Sequence, residues 1–132
     1  MPLILSVETG TDICSVALAQ DREIISLIES DQGKNHAQNL GLFMNDIFNE
    51  SGISAEQLDA VAVGAGPGSY TGLRIGVSIA KGICYANHIP LIAVNSLAGL
   101  AVSAIEDYNA EILGDVVFEN ALLVPMIDAR NM

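Results

Sequence analysis

The order of apolar segments predicts an α/β fold: a mixed five-stranded sheet flanked by helices. Three observations carry this expectation. Three short apolar runs follow one another up to Ile28 with no space for a helix between them, which reads as an antiparallel meander. Two longer segments with apolar residues at three- and four-residue spacing then alternate with short apolar runs, the pattern of helix, strand, helix, strand. Finally, 51% of the 132 residues are hydrophobic and only 16% are charged, against ~25% charged in typical soluble domains, so the chain has a core to build and little surface to decorate.

Taken in order, Leu3 to Val7 reads as a buried strand ending in Glu8, Thr9 and Gly10. Ser15 to Ala19 and Glu23 to Ile28 read as the second and third strands. They join at Gln20-Asp21-Arg22, which lacks the Asn-Gly signal of a tight hairpin and leaves the turn type open. A polar stretch from Asp31 to Asn35 precedes a helix from His36 to Ser51. Its apolar face carries Leu40, Phe43, Met44, Ile47 and Phe48, and Gly52 is its stop signal. Ser54-Ala55-Glu56-Gln57 has the order of a capping box. Ala60 to Val63 is the fourth strand, and Gly64 to Gly68 forms a glycine corner leading into a helix from Thr71 to Ala86. Leu73, Val77, Ala80, Ile83 and Cys84 make that helix's apolar face. Gly72, Gly76 and Gly82 cost it propensity, roughly 1 kcal/mol each in a helix interior, and so suggest close approach to a neighbouring element. Leu91 to Val94 is the fifth strand, Ser96 is a candidate N-cap for a helix through Tyr108, and Leu122 to Ile127 reads as one more strand.

The charge balance excludes several function classes. Net charge is −11, and the basic residues Arg22, Lys34, Arg74, Lys81 and Arg130 form no cluster. Direct nucleic-acid binding and an anionic membrane surface are both disfavoured, because each needs grouped cations. No stretch has the ~18 uninterrupted apolar residues of a membrane span, and the N-terminus lacks the basic region of a signal peptide, which makes the cytoplasm the default expectation. Cys14 and Cys84 sit in apolar patterns and read as buried free thiols of a reducing compartment.

Two corners offer chemistry. Glu8, Thr9, Thr11 and Asp12 form an acidic, hydroxyl-rich turn after the first strand, readable as a phosphate or metal-water site or as a self-bonded polar turn. The glycine corner has its N–H groups at a helix start, where Gly66, Gly68 and Ser69 would cradle an anion or serve a packed turn. It is neither a P-loop nor a strict dinucleotide fingerprint, and Pro67 removes one donor. Gly66-Pro67-Gly68-Ser69-Tyr70 also lacks the G-x-S-x-G order of a hydrolase elbow. Arg74 reads as a partner for an anion or an acidic neighbour, or as half of a local salt bridge. A helical metal pair needs histidines at i and i+4, and His36 is followed by Leu40. No metal ligand set is expected.

Five segments together, LILSVETGTDICSVAL, KNHAQNL, GAGPGSYTGLRIGVSIAKGI, PLIAVNSLAGLA and VPMIDARNM, resemble the TsaB (YeaZ) family of bacterial tRNA threonylcarbamoyladenosine biosynthesis proteins. The resemblance implies one domain of the actin/sugar-kinase/heat-shock ATPase fold over residues 1–109, with 110–132 entering a second, similar domain. It implies a non-catalytic scaffold for the paralogous transferase TsaD, which modifies adenosine 37 of tRNA. The ATPase TsaE would join that assembly, the chain alone would form homodimers, and tRNA would be met only indirectly. The implied partner surface is carried by the two long helices, through His36, Leu40, Met44, Tyr70, Leu73, Arg74, Gly76 and Val77. Any cofactor site at Glu8, Thr9, Gly66, Gly68 and Ser69 would be vestigial, with ATP and magnesium bound only at the level of the complex. Glu8 stands where the family's strand usually ends in Asp, which weakens a nucleotide role further. The alternative function is an ATP-dependent transferase or glycoprotease-like hydrolase in its own right.

Overall fold

The computed structural model describes residues 2–31, 35–111, 114 and 122–127. Three strands open the fold: β1 (Leu3–Glu8), β2 (Cys14–Gln20) and β3 (Glu23–Ser30). Helix α1 (His36–Ser51), a short 3-10 turn (Ala55–Gln57), β4 (Ala60–Gly64), α2 (Tyr70–Asn87), β5 (Leu91–Val94) and α3 (Ser96–Asn109) follow. Among the described residues the sheet has five strands in the order β3-β2-β1-β4-β5. The meander is antiparallel, whereas β4 and β5 run parallel to β1, so the sheet is mixed as the element order predicts.

Alternation along the strands sorts residues onto two faces. Leu5 of β1 lies opposite Leu18 of β2 and Val61 of β4, and Val7 lies opposite Val16 and Val63. These residues form the core beneath α1 and α2. Helix α1 covers β2 and β3, while α2 covers β4 and its neighbours. The bounds of α1 match the sequence reading, and Gly52 ends it in the left-handed region at φ 69°, with its N–H donating to the Phe48 carbonyl. Ser54 N–H donates to Gln57 Oε1 at 2.8 Å, one half of a capping box.

Several expectations need correction. The hairpin between β2 and β3 turns on Asp21 (φ 52°) and Arg22 (φ 73°), the pair of positive φ values of a type I′ turn, without the glycine such a turn favours. The N-cap of α3 is Asn95 rather than Ser96: its Oδ1 accepts from Leu97 N–H at 3.0 Å and Ala98 N–H at 3.1 Å. Leu122 to Ile127 forms no strand, because no described strand offers it a ladder, and Leu122, Val124 and Met126 are exposed. Gly33, Lys34, Asp115, Glu119 and Asp128 to Arg130 lie outside the described residues. Among the described residues, no helix is long and apolar enough to cross a membrane.

Candidate functional site

The acidic corner and the glycine corner meet at the carboxyl ends of β1 and β4, the end where open α/β sheets hold ligands. Their proximity follows from the parallel pairing of those strands. The approach is close enough that side chains are excluded at several positions. A Cβ built on Gly68 would stand 2.9 Å from Gly10 Cα, one on Gly72 would overlap the Thr9 carbonyl, and one on Gly76 would overlap Thr9 Oγ1. Thr9 is 1% exposed and donates its hydroxyl to the Gly72 carbonyl at 2.6 Å. The close approach read from Gly72 and Gly76 is therefore real, but its partner is Thr9, directly after this chain's own first strand. Gly82 departs from that reading, since it is exposed with nothing near it.

Two N–H donors at the start of α2 are engaged within the chain. Ser69 N–H donates to the Gly10 carbonyl at 2.7 Å, and Gly72 N–H donates to Ser69 Oγ at 3.2 Å, which makes Ser69 the N-cap of α2. Gly66 holds φ 105° and its carbonyl accepts from Ser96 N–H at 2.9 Å. Glu8 folds over Gly64, where a Cβ would overlap its carboxylate. Its Oε1 accepts from Gly10 N–H at 2.9 Å and its Oε2 from the Ser96 hydroxyl at 3.0 Å. A phosphate reaching the Ser69, Gly72 or Gly10 N–H groups would have to displace bonds the chain makes to itself. Ser96 and Gly64 were not flagged as site residues. Their only sequence signal is a hydroxyl and a missing side chain at strand ends that register alone brings together.

His36 begins α1 and is 9% exposed. Its Nε2 lies 2.7 Å from the Thr11 carbonyl, an acceptor only, so Nε2 carries the proton. Nδ1 is buried with no partner among the described residues. His36 thus ties α1 to the turn after β1. Among the described residues, no cluster of three or more His, Cys, Asp or Glu has metal-holding geometry.

The expected partner surface divides in two. Leu40, Met44, His36 and Gly76 are buried inside the chain, and Leu73 wedges its side chain between the Gly10 and Gly66 positions. Val77 also packs against the core. Small residues at Gly72, Gly76, Ala80 and Cys84 form the buried side of α2, beside which Leu73 and Val77 stay half-buried. Tyr70 and Arg74 remain outside. Tyr70 is 74% exposed, and the Arg74 guanidinium stands 5.4 Å from its ring centroid, a cation–π contact. Beside them a shallow groove of about 360 Å³ runs between α1 and α2, lined by Ala37, Thr71, Arg74, Ile75, Ser78 and Ile79.

Against this geometry stand the likenesses to known proteins. The sequence profile of the family described as TsaD, tRNA N6-adenosine threonylcarbamoyltransferase, matches residues 23–132. The tRNA threonylcarbamoyladenosine biosynthesis protein TsaB of Haemophilus influenzae is 36% identical over 108 residues, 82% of this chain and 45% of that protein. The chain belongs to the TsaB family. TsaB of Escherichia coli is 39% identical over 101 residues, 76% of this chain and 43% of that protein. The solved structure of YeaZ from Pseudomonas aeruginosa superposes with a TM-score of 0.78 at 34% identity, covering 83% of this chain and 51% of that one. The tRNA N6-adenosine threonylcarbamoyltransferase of Streptococcus thermophilus is 38% identical over 119 residues, 78% of this chain and 35% of that enzyme. The chain thus spans about half the length of the TsaB proteins it matches. The YeaZ superposition agrees with the mixed α/β architecture expected of this family.

Proposed function

We propose that the chain serves formation of threonylcarbamoyladenosine at position 37 of tRNA as a non-catalytic partner of a TsaD-like transferase. One observation supports this above the rest: the Glu8 carboxylate and two N–H donors of the strand-end corner are bonded within the chain. Glu8 occupies the space over Gly64 and is bound by Gly10 and Ser96, and the Ser69 and Gly72 N–H groups have internal acceptors. A corner so engaged suits a rigid support better than a triphosphate site. Contact with the transferase is assigned to the outer side of α2, through Tyr70, Arg74 and the adjoining groove. The same surface serves a homodimer when the chain is alone. A TsaE-like ATPase joins at the level of the assembly, tRNA is met only through the partner, and the setting is the cytoplasm.

The test is co-purification with the transferase encoded in the same genome, using threonylcarbamoyladenosine in tRNA as readout. Tyr70→Ala combined with Arg74→Glu is expected to cut recovery of the transferase at least about tenfold, a loss of about 1.4 kcal/mol, while leaving thermal unfolding unchanged. Undiminished recovery would overturn the assigned surface.

A second reading, a transferase in its own right, has one observation in its favour: the matching profile is the transferase family's. Calorimetry with ATP and magnesium separates the two. Micromolar binding by this chain alone would favour the enzyme, and no heat of binding favours the scaffold.

A further inference from the structure

We propose that the outer edge of β3 is a strand-addition site for an extended, basic segment of a partner protein. Among the described residues, β3 ends the sheet order, with β2 as its neighbour on one side. In an antiparallel ladder, alternate residues turn their N–H and C=O groups away from the paired strand, and at an edge those groups form a template for another chain. Edges in natural proteins are normally kept short or interrupted by proline, lysine or a bulge. The two edges of this sheet differ in this respect. β5 has four residues, whereas β3 has eight, with neither proline nor lysine among them. The one irregularity in the β2–β3 ladder lies in β3 itself: Leu18 pairs with Ser26 and Ala19 with Ile24, so Ile25 is the extra residue of a bulge, and the regular edge is the five-residue run Ser26 to Ser30.

The side chains along this edge supply both grip and choice. Ile24 is 64% exposed, Ile25 43% and Leu27 51%, so aliphatic side chains are available for cross-strand pairing. Acidic residues bracket them: Asp21 and Glu23 at one end, Glu29 and Asp31 at the other, all exposed. A second copy laid antiparallel and centred on the strand would bring Glu23 of one chain near Glu29 of the other, and like charges across a ladder oppose pairing. A strand with aliphatic residues at its centre and Lys or Arg at both ends meets carboxylates at both ends instead. The net charge of −11 steers such a segment toward the chain. These residues share nothing with the Tyr70–Arg74 surface, so the inference stands independently of the function proposed above.

The test uses the full chain and two synthetic peptides with one alternating Val-Thr core, one flanked by lysines and the other by glutamates. Binding is read by fluorescence anisotropy, and its location by amide hydrogen exchange. The lysine peptide is expected to bind at least about tenfold more tightly than the glutamate peptide, to weaken with added salt, and to slow exchange in residues 23–30. The exposed double variant Glu23→Lys with Glu29→Lys, checked for native circular dichroism, is expected to reverse that order. Equal binding of the two peptides, an unreversed order in the double variant, slowed exchange confined to other elements, or self-pairing of the chain along β3 would each overturn the proposal.

Discussion

On the face beneath α1 and α2, Leu5, Val16 and Val61 are fully buried. On the reverse face of the same strands, their sequence neighbours Ser6, Ala17 and Ala62 are only partly buried, and Leu27 and Ile92 are exposed. Helix α3 does not change this balance. It has no buried residue, and its side-chain tie to the strand ends is the Ser96 hydroxyl on Glu8. The two faces therefore differ in kind: large branched side chains lock into helices on one, while small ones leave a shallow surface on the other. Stability resides on the helix-covered face. The groups available for contact lie on the outer side of α2, along the edge of β3 and on the reverse face.

The largest expected effect tests that division directly. Leu5→Ala removes a side chain with 0% exposure at the centre of the core and is expected to cost about 3–4 kcal/mol. Leu27→Ala, at a position 51% exposed, is expected to cost about 0.5 kcal/mol or less. Urea unfolding monitored by circular dichroism measures both. Equal losses would erase the distinction between the faces.

How much of this was legible in the sequence follows the same line. Period-2 and period-3.6 patterns gave β1 to β5 and all three helices within a residue or two, because local alternation decides which side chains can be buried. The glycine corner was legible as a corner for the same reason. What a pattern cannot carry is direction over distance. Gly72 and Gly76 announced close approach, but only the β1–β4 pairing shows that Thr9 is what they approach. Glu8 and Ser96 are 88 residues apart and meet only through strand order. The Asp21-Arg22 turn was hidden because Arg22 stands where a type I′ turn favours glycine; Asp tolerates positive φ, whereas at Arg22 the tertiary fit of β2 to β3 overrides local preference.

The next effect sharpens the comparison within one helix. Gly76→Leu drives a side chain into Thr9, which is buried and hydrogen-bonded to Gly72, and is expected to destabilise by about 3 kcal/mol. Gly82 lies later in α2, exposed with open space around its Cβ position. Gly82→Ala is expected to stabilise by about 0.5–1 kcal/mol through helix propensity. Opposite signs from two glycines of one helix, read as shifts in the unfolding midpoint, would separate the packed side of α2 from the free side. A stabilising Gly76→Leu would show that α2 does not seat on β1.

The smallest effect concerns the two thiols, both placed on the helix-covered face. Cys14 is 0% exposed and Cys84 7%. Burial raises both thiol pKa values, with a smaller opposing effect at Cys84 from a hydrogen bond to the Val61 backbone. The Cys84 thiol also donates to the Pro90 carbonyl at 3.4 Å, a bond that only the protonated form makes. The sign follows from which state ionises first. Below about pH 8.5, the ordinary thiol value, both states hold their protons and the contribution is fully present. As pH rises, the unfolded chain releases protons that the folded chain retains, so stability declines until the folded pKa is passed. Unfolding midpoints are therefore expected to hold steady up to about pH 8.5 and to fall from there toward about pH 9.5, below the range where tyrosine and lysine titrate strongly. Cys14→Val combined with Cys84→Ala is expected to flatten that slope, although the substitutions shift the midpoint itself. A slope that survives removal of both thiols would place its origin among the exposed charged groups, and the sealed face would have no part in it.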